Sequence, residues 1–164
     1  MVKNKKTIQF IGVDCILMVI LTLLDQWTKS LVVHHLKDQS DIILIPGVFQ
    51  LHYLENRGAA FGILQGKKIF FVFFTLIVLC LIAYLYLKRI PDEKKFRLMD
   101  GICILFFAGA LGNFIDRVFR NYVVDFFYFK LIDFPIFNVA DIYVTVAAFA
   151  MIILGLFYYK EEDY

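Results

Sequence analysis

The chain has 164 residues, of which 61% are hydrophobic and 18% aromatic, and its mean hydropathy is +0.74. A soluble domain of this length is nearer half apolar, so these values exclude an ordinary globular protein and indicate a membrane protein. The net charge of only +2 gives no sign of a nucleic-acid partner. The three cysteines all lie in apolar runs, so we interpret them as buried small side chains and expect no disulfide framework.

A short basic segment begins the chain, and an apolar run over residues 10–24 follows it. A secretory signal peptide has the same order of features, but no small-residue cleavage site follows here. The run continues instead into Asp25-Gln26-Trp27-Thr28-Lys29, so we predict a retained first span over residues 10–31 with its tryptophan at the membrane interface. Asp14 lies within this span, and no role for it follows from the pattern.

The next segment is mixed in character. An aliphatic run over residues 42–45 is stopped by Pro46-Gly47, and residues 48–54 then alternate in part between apolar and polar side chains. This pattern predicts two short strands around a Pro-Gly turn. The following stretch, residues 56–62, is rich in small residues and suits close approach of the backbone to another group.

Three further apolar segments predict membrane spans over residues 69–88, 98–118 and 139–159. Residues 69–87 carry no charge at all, and a helix of about 20 apolar residues is long enough to cross a bilayer. A polar, aromatic connection separates the last two spans. The predicted fold is therefore a mainly α membrane protein with four transmembrane helices, forming a single membrane-embedded domain over residues 1–164.

The distribution of lysine and arginine predicts how the chain is oriented. Nine of the seventeen basic residues fall in three short segments, namely the first nine residues, the 88–97 turn and the C-terminal tail. Cytoplasmic segments carry an excess of such residues, so we predict that both termini and this turn are cytoplasmic. The connections at 33–68 and 118–137 would then face outward, together with Asp125 and Asp141.

Asp125 and Asp141 are the first candidates for chemistry, because each adjoins a long apolar segment where an ionisable group is costly. Two carboxylates brought together cannot both ionise, and a pair that shares one proton can act as acid and base. A simpler interpretation stays open for both. Asn138 followed by Asp141 is a standard helix start, and Asp125 could be a polar residue of a loop strand.

Other polar residues near the span ends also have two interpretations. Gly109, Asn113 and Arg117 are spaced four apart and share one helix face, which suits either a site lining or helix packing with the arginine reaching the interface. Asp25 and Lys29 are also four apart, and for them we favour a surface ion pair at the helix end. The histidines match no zinc-binding spacing, so we predict no metal site.

Five blocks of sequence, taken together, are similar to a known family. The chain resembles lipoprotein signal peptidase, the bacterial type II signal peptidase, in blocks that follow that family's order and span nearly the whole sequence. These blocks are Asp25-Gln-Trp-Thr-Lys29, Asn56-Arg-Gly-Ala-Ala-Phe61, Gly109-Ala-Leu-Gly-Asn-Phe-Ile-Asp-Arg117, Val123-Val-Asp-Phe126 and Phe137-Asn-Val-Ala-Asp141.

The resemblance implies an aspartyl endopeptidase of the bacterial cytoplasmic membrane. Such an enzyme removes the signal peptide from prolipoproteins whose cysteine already carries diacylglycerol, works at the outer face of the membrane and needs no cofactor. The family's fold adds a small extracytoplasmic β-sheet and a short amphipathic segment to the four helices, and the sheet fits the strands predicted within 42–54. The partners it implies are the lipid-modified substrate and membrane lipids, with the enzyme a monomer and no nucleic acid bound.

The resemblance also assigns individual positions. Asp125 and Asp141 match the family's catalytic pair. Five other residues match positions that line its substrate site, namely Asn56, Gly109, Asn113, Arg117 and Asn138. Three more match signature positions without an assigned role, namely Asp25, Lys29 and Asp116.

Two other functional classes compete with this interpretation. Acids within a membrane also serve as proton relays, so the chain could be a small proton-coupled transporter, although four spans without an internal repeat suit alternating access poorly. It could also be a non-enzymatic membrane scaffold in which the acids are only helix caps and ion pairs.

Overall fold

The computed structural model describes residues 8–58 and 66–159. Their elements, in chain order, are α1 (Ile8–Leu36), β1 (Ile42–Ile45), β2 (Phe49–Asn56), α2 (Lys68–Lys88), a 3-10 turn (Lys94–Phe96), α3 (Arg97–Phe119), β3 (Val123–Tyr128), a second 3-10 turn (Lys130–Ile132) and α4 (Val139–Phe157). Residues 59–62 of the predicted small-residue stretch lie outside the described residues. The single-domain assignment and the short amphipathic segment stay predictions.

Each of the four helices is long and apolar enough to cross a membrane, which confirms the predicted fold class. Large apolar side chains are exposed along α1, α2 and α4, where lipid would cover them. The central element is α3, which packs against each of the other three helices and buries more of its surface than they do. The bundle is therefore built around α3, and the other helices face lipid.

The sheet is antiparallel with the order β1-β2-β3. The predicted hairpin around Pro46-Gly47 is confirmed, with a shift in register between Ile43 and Ile45. The third strand was not predicted as part of this sheet, yet β3 pairs along β2 from Asn56 opposite Val123 to Gln50 opposite Tyr128. The outer connections thus form one structure that joins residues far apart in the chain.

The sheet is held to the bundle by a small apolar core. Val32 and Leu36, in the last turns of α1, pack against Val124 and Phe126 of β3, and all four side chains are buried. This contact explains why α1 runs beyond residue 31, where the sequence predicted the span to end. The strand that carries Asp125 is consequently fixed to α1 as well as to β2.

Small residues let α3 approach its neighbours closely. A Cβ atom at Gly109 would lie 2.6 Å from the Ala140 carbonyl oxygen and 2.8 Å from Val144 Cγ2, both in α4. A Cβ atom at Gly112 would overlap the carboxylate of Asp25 in α1. Helix packing through glycine therefore brings α1, α3 and the start of α4 together at the end of the bundle that carries the sheet.

The opposite end of the bundle also buries acids. Asp14, for which the sequence suggested no role, accepts a hydrogen bond from the Tyr86 hydroxyl of α2. Arg97 at the start of α3 forms ion pairs with Asp92, at 2.6 Å, and with Asp100, at 3.3 Å. These contacts join the helices to each other and to the 88–97 turn.

Candidate active site

The fold brings Asp125 and Asp141 to one cavity. Asp125 lies in β3 opposite Leu54, whereas Asp141 lies in the first turn of α4. After β3 the chain turns back, and Phe137 pairs with Phe127 through backbone hydrogen bonds of 2.8 and 3.1 Å. That pairing places the start of α4 beside β3. Both carboxylates consequently line a cavity of about 750 Å³ that lies at the sheet end of the bundle.

Asp125 is held by two amide side chains. Its Oδ2 accepts a hydrogen bond from Asn56 Nδ2 at 2.8 Å, and its Oδ1 accepts one from Asn138 Nδ2 at 2.6 Å. The orientation of the Asn56 amide is fixed in turn, because its Oδ1 accepts from the Gly58 backbone N–H at 2.9 Å. Asp125 is only 1% exposed, so its charged form has exchanged water for neutral amide donors.

Asp141 takes part in the helix cap that the sequence predicted. Its Oδ2 accepts from the Asn138 backbone N–H at 3.1 Å, while Asn138 Oδ1 accepts from the Asp141 backbone N–H at 3.0 Å, so the capping box is present. Its Oδ1 accepts from Asn113 Nδ2 at 2.8 Å. Asn138 is thus both the cap of α4 and the residue that hydrogen-bonds to both acids.

The environment of Asp125 favours its protonated form. Burial, followed by the negative charge of Asp141, raises the pKa of the Asp125 carboxyl to about 7. Hydrogen bonds from Asn56 and Asn138, and the charge of Lys29, act in the opposite direction. Near neutral pH the two acids can therefore hold one proton between them, which is the condition for joint acid and base chemistry.

Lys29 lies behind the two acids, and the prediction of a surface ion pair with Asp25 is wrong. Both side chains are 0% exposed, and the Lys29 ammonium lies 2.9 Å from Asp25 and 3.2 Å from Asp116. It also donates to Asn113 Oδ1 at 2.8 Å. Asp25 and Lys29 do pair, as their i,i+4 spacing predicts. The pair is buried because α3 and α4 cover this face of α1, which the spacing does not reveal.

The remaining predicted site residues lie on α3. Arg117 lines the cavity, and its guanidinium donates to the backbone carbonyls of Asn113 and Gly58 at 3.3 Å each. Asn113 also lines the cavity, one helical turn before the arginine. Gly109 lies one turn further back and contacts the backbone of α4. Its place in a substrate-binding site stays a prediction.

The apolar part of the cavity was missed in the sequence. Its wall is formed largely by the segment before α4 and by the first turns of α4, namely Phe134, Pro135, Ile136, Phe137, Ile142, Val144 and Val146. The sequence marked the segment before α4 only as a polar, aromatic connection. A polar floor under an apolar wall is the usual form of a site for a largely apolar ligand.

Comparison with known families decides the assignment of the chain. The model of the family described as signal peptidase (SPase) II matches residues 17–157, which include every site residue described above.

The chain belongs to the signal peptidase II family.

Two relatives show how closely the chain follows this family. The lipoprotein signal peptidase of Streptococcus thermophilus (strain CNRZ 1066) is 46% identical over 140 residues, which cover 85% of this chain and 88% of the relative. The lipoprotein signal peptidase of Streptococcus pyogenes serotype M5 (strain Manfredo) is 40% identical over 147 residues, which cover 90% and 93%. The resemblance seen in the sequence motifs is therefore confirmed over nearly the full length.

Two solved structures share the fold. Both are described as bacterial membrane enzymes obtained by the in meso method, at 2.3 and 1.9 Å resolution, and both are 35% identical to this chain. The first has a TM-score of 0.79 and covers 95% of this chain and 93% of its own. The second has a TM-score of 0.80 and covers 97% and 100%.

Family membership and the four apolar helices together identify a peptidase that is a multi-pass protein of a bacterial membrane. The transporter and scaffold alternatives are not favoured.

Proposed function

We propose that this signal peptidase II family member is an aspartic endopeptidase. It removes the signal peptide from prolipoproteins whose cysteine carries diacylglycerol, and it acts at the outer face of the cytoplasmic membrane. The observation that carries the proposal is the position of Asp125 and Asp141 on one cavity, joined through Asn138 and hydrogen-bonded by amides. Among the described residues no Lys, Arg or His forms a salt bridge with either acid, although the charge of Lys29 acts on Asp125, so the pair can exchange protons with a substrate.

The proposed chemistry uses the two carboxyl groups in opposite protonation states. The ionised acid takes a proton from a water molecule as that water attacks the scissile carbonyl carbon, and the protonated acid donates to the carbonyl oxygen. When the tetrahedral diol collapses, the acid that took the proton from water passes it to the leaving amine, one diol hydroxyl returns its proton to the other acid as the carbonyl re-forms, and the C–N bond breaks. One proton remains on the pair, so the enzyme returns to its starting state.

The cavity suits the two parts of such a substrate. Its apolar wall can hold the signal peptide and acyl chains, while Asn56, Asn113 and Arg117 supply polar groups beside the acids. We assign Arg117 to a substrate carbonyl or to the ester of the lipid. Its guanidinium lies on the Phe71 ring, 4.9 Å from the centroid, which holds the group at the cavity edge.

The proposed orientation follows from the basic residues. The 88–97 turn lies at the end of the bundle opposite the sheet, and its basic residues favour the cytoplasmic side. A lipid-modified cysteine is anchored in the outer leaflet, so the bond before it lies near the depth at which Asp125 and Asp141 would then stand.

Cysteine labelling tests this orientation with a matched pair of exposed lysines. After the native cysteines are replaced, Lys130→Cys should react with a membrane-impermeant maleimide in intact cells. Lys94→Cys should react only after the membrane is opened. Labelling of position 94 in intact cells, with position 130 protected, would reverse the proposed topology.

Substitution of the acids tests the proposed mechanism. In purified enzyme acting on a diacylglyceryl-modified prolipoprotein, Asp125→Asn and Asp141→Asn should each lower kcat by about 1,000-fold or more, because neither variant can hold the shared proton. Asp38→Asn is the matched control. Asp38 is exposed, lies outside the cavity and has a φ of 60°, which asparagine tolerates.

The same assay can contradict the proposal. Cleavage that persists in a folded Asp125→Asn or Asp141→Asn variant would exclude the aspartic mechanism. Cleavage by the wild type should also persist in a chelator, because the proposed steps use only carboxyl groups and water.

A further inference from the structure

A cluster of buried charges lies directly behind the acid pair. Lys29, Asp25 and Asp116 are each 0% exposed. The ammonium group of lysine has three N–H bonds, and here it has three partners: Asp25 Oδ2 at 2.9 Å, Asp116 Oδ2 at 3.2 Å and Asn113 Oδ1 at 2.8 Å. Its hydrogen-bonding capacity is fully used within the fold, which leaves no donor for a substrate.

The two carboxylates of this cluster hold the backbone next to the two acids of the site. Asp25 Oδ1 accepts from the backbone N–H of Ala140 at 2.9 Å, and Ala140 immediately precedes Asp141. Asp116 Oδ2 accepts from the backbone N–H of Val124 at 3.1 Å, and Val124 immediately precedes Asp125. Lys29 bridges the two carboxylates. A continuous chain of charge-assisted bonds therefore ties the start of α4 to β3.

The same ammonium directs the amides that contact the acids. Because Lys29 can only donate, it requires the oxygen of Asn113, so Nδ2 of that amide must turn toward Asp141. Asn113 Oδ1 also accepts from Asn138 Nδ2 at 3.2 Å, and that nitrogen donates to Asp125 as well. One cation thus sets the direction of side-chain donors to both acids.

Other charged and polar groups complete the surroundings of the cluster. Arg120 pairs with Asp116 at 2.8 Å, and the Gln26 side chain donates to Asp25 and Asp116 from α1. The acids of the site and Arg117 lie on the cavity side. Burying these charges costs solvation free energy. Replacing a whole buried charge cluster by apolar side chains of similar volume is often neutral or stabilising. Stability alone therefore does not account for it.

We infer that Asp25, Lys29 and Asp116 form a positioning cluster that fixes the separation of Asp125 and Asp141 and directs the Asn113 and Asn138 amides toward them. This inference rests on the proposed function, because it assigns the cluster to the same acid pair. The cluster does not contact substrate, so it should affect the rate of the chemical step and leave substrate binding nearly unchanged.

Two variants at position 29 test this inference. Lys29→Met removes the donor, and Asp25→Asn with Lys29→Met removes the pair while keeping the net charge of the cluster unchanged. Each should lower kcat by about 10- to 100-fold with KM changed less than about 2-fold, because small displacements of reacting groups cost that much in rate. A role confined to folding would instead lower the amount of folded protein at an unchanged kcat per active site.

A double-mutant cycle with Asn113→Ala tests the route of the effect. Asn113→Ala leaves Lys29 paired with both carboxylates, so this variant is expected to fold. If the two residues acted independently, the fold losses in kcat of Lys29→Met and Asn113→Ala would multiply in the double variant. If Lys29 acts partly through Asn113, the kcat of the double variant should be at least about 5-fold higher than that product predicts. Losses that multiply would overturn the inferred direction of the amides.

The remaining outcomes separate this inference from the proposed function. A wild-type kcat in folded Lys29→Met, or failure of both position-29 variants to fold, would overturn the inference and leave the cluster a folding element. Asp125→Asn is assayed in the same series. If it still cleaves, the aspartic mechanism itself fails; if it is inactive while Lys29→Met is unaffected, only the positioning role fails.

Discussion

The two ends of the bundle both bury acids, but they provide them with different partners. At the end away from the sheet, Arg97 pairs with Asp92 and Asp100, and a tyrosine hydroxyl donates to Asp14. The cavity at that end, about 550 Å³, has no carboxylate among its described lining residues. At the sheet end, Asp125 and Asp141 line the cavity and accept hydrogen bonds from amides.

Under the proposed mechanism, this difference separates structural acids from reactive ones. A cation beside a carboxylate stabilises its ionised form and holds its charge fixed, whereas an amide donor leaves the charge of the group uncompensated. Asp25 and Asp116 lie close to the acid pair but are paired with Lys29, so they belong to the structural class. Asp25, Asp116 and Asp125 are all buried, so the chemical nature of the partner, and not burial, distinguishes the two classes at the sheet end.

Changing the amide of Asn138 should have the largest effect on this distinction. Asn138→Asp keeps a good helix cap but places a third carboxyl group against Asp125, so we expect kcat to fall by about 100-fold or more. Asn138→Ser also keeps the cap and only removes the donor, so a loss of about 10-fold is expected. Thermal unfolding should show that both variants keep α4 folded.

The contrary result for position 138 is equally clear. Equal losses in the two variants, in step with a loss of thermal stability, would mean that the residue matters only as the cap of α4.

The pH dependence of cleavage should report the ionisation of Asp125, the acid that accepts hydrogen bonds from the Asn56 and Asn138 amides. In the proposed mechanism activity requires one proton on the pair, so kcat/KM should fall as the pH rises through about 7, the pKa of Asp125. Asn56→Ala removes a donor that stabilises the ionised form, so the alkaline limb should move up by about 0.5–1 pH unit. Gln39→Ala, an exposed amide at the same end, is the control and should leave the limb in place.

An alkaline limb that shifts to lower pH in Asn56→Ala, or that does not shift, would contradict the role given to the Asn56 hydrogen bond.

Stability should depend on pH through the same carboxyl group. The pKa of Asp125 is raised from 3.8 to about 7 in the folded protein, so the folded state holds its proton more tightly than the unfolded state does. This contribution is complete below about pH 4 and is lost as the pH rises through 7. Asp125→Asn cannot ionise, so its melting temperature relative to wild type should increase by a few °C between pH 5 and pH 8. A difference that is flat or decreases over this range would contradict the raised pKa.

At the opposite end, Tyr86→Phe should affect stability only. The change leaves Asp14 without the hydroxyl that donates to it, which should cost about 1–2 kcal/mol in the free energy of unfolding and leave kcat unchanged. Tyr84→Phe, on an exposed face of the same helix, is the control. A fall in kcat for Tyr86→Phe would remove the contrast between the two ends.

The sequence was most informative where the signal is local. The uncharged run at residues 69–87, the Pro46-Gly47 turn and the Asn138 cap each depend on neighbouring residues, and the structure has all three elements. The acids themselves were marked by their position beside apolar segments. The two acids come close together because Phe127 pairs with Phe137 through the backbone. Hydrophobic periodicity does not encode such a pairing.

The features that the sequence did not reveal depend on contacts across the chain. The pairing of β2 with β3 joins residues about 70 positions apart, and Tyr86 meets Asp14 at a separation of 72. The Asp25–Lys29 pair has the spacing of a surface ion pair, and only the packing of α3 and α4 makes it buried. Gly112, where any larger residue would meet the Asp25 carboxylate, was the one sequence signal that could have indicated this.

The capping box at the start of α4 has a consequence for how the enzyme matures. The atoms that begin this helix are the same atoms that hold Asp141 and one side of Asp125. The start of α4 therefore cannot form its cap without placing Asp141 against Asn138. Placement of one acid of the proposed catalytic pair is therefore part of forming the last helix and needs no later rearrangement of its cap.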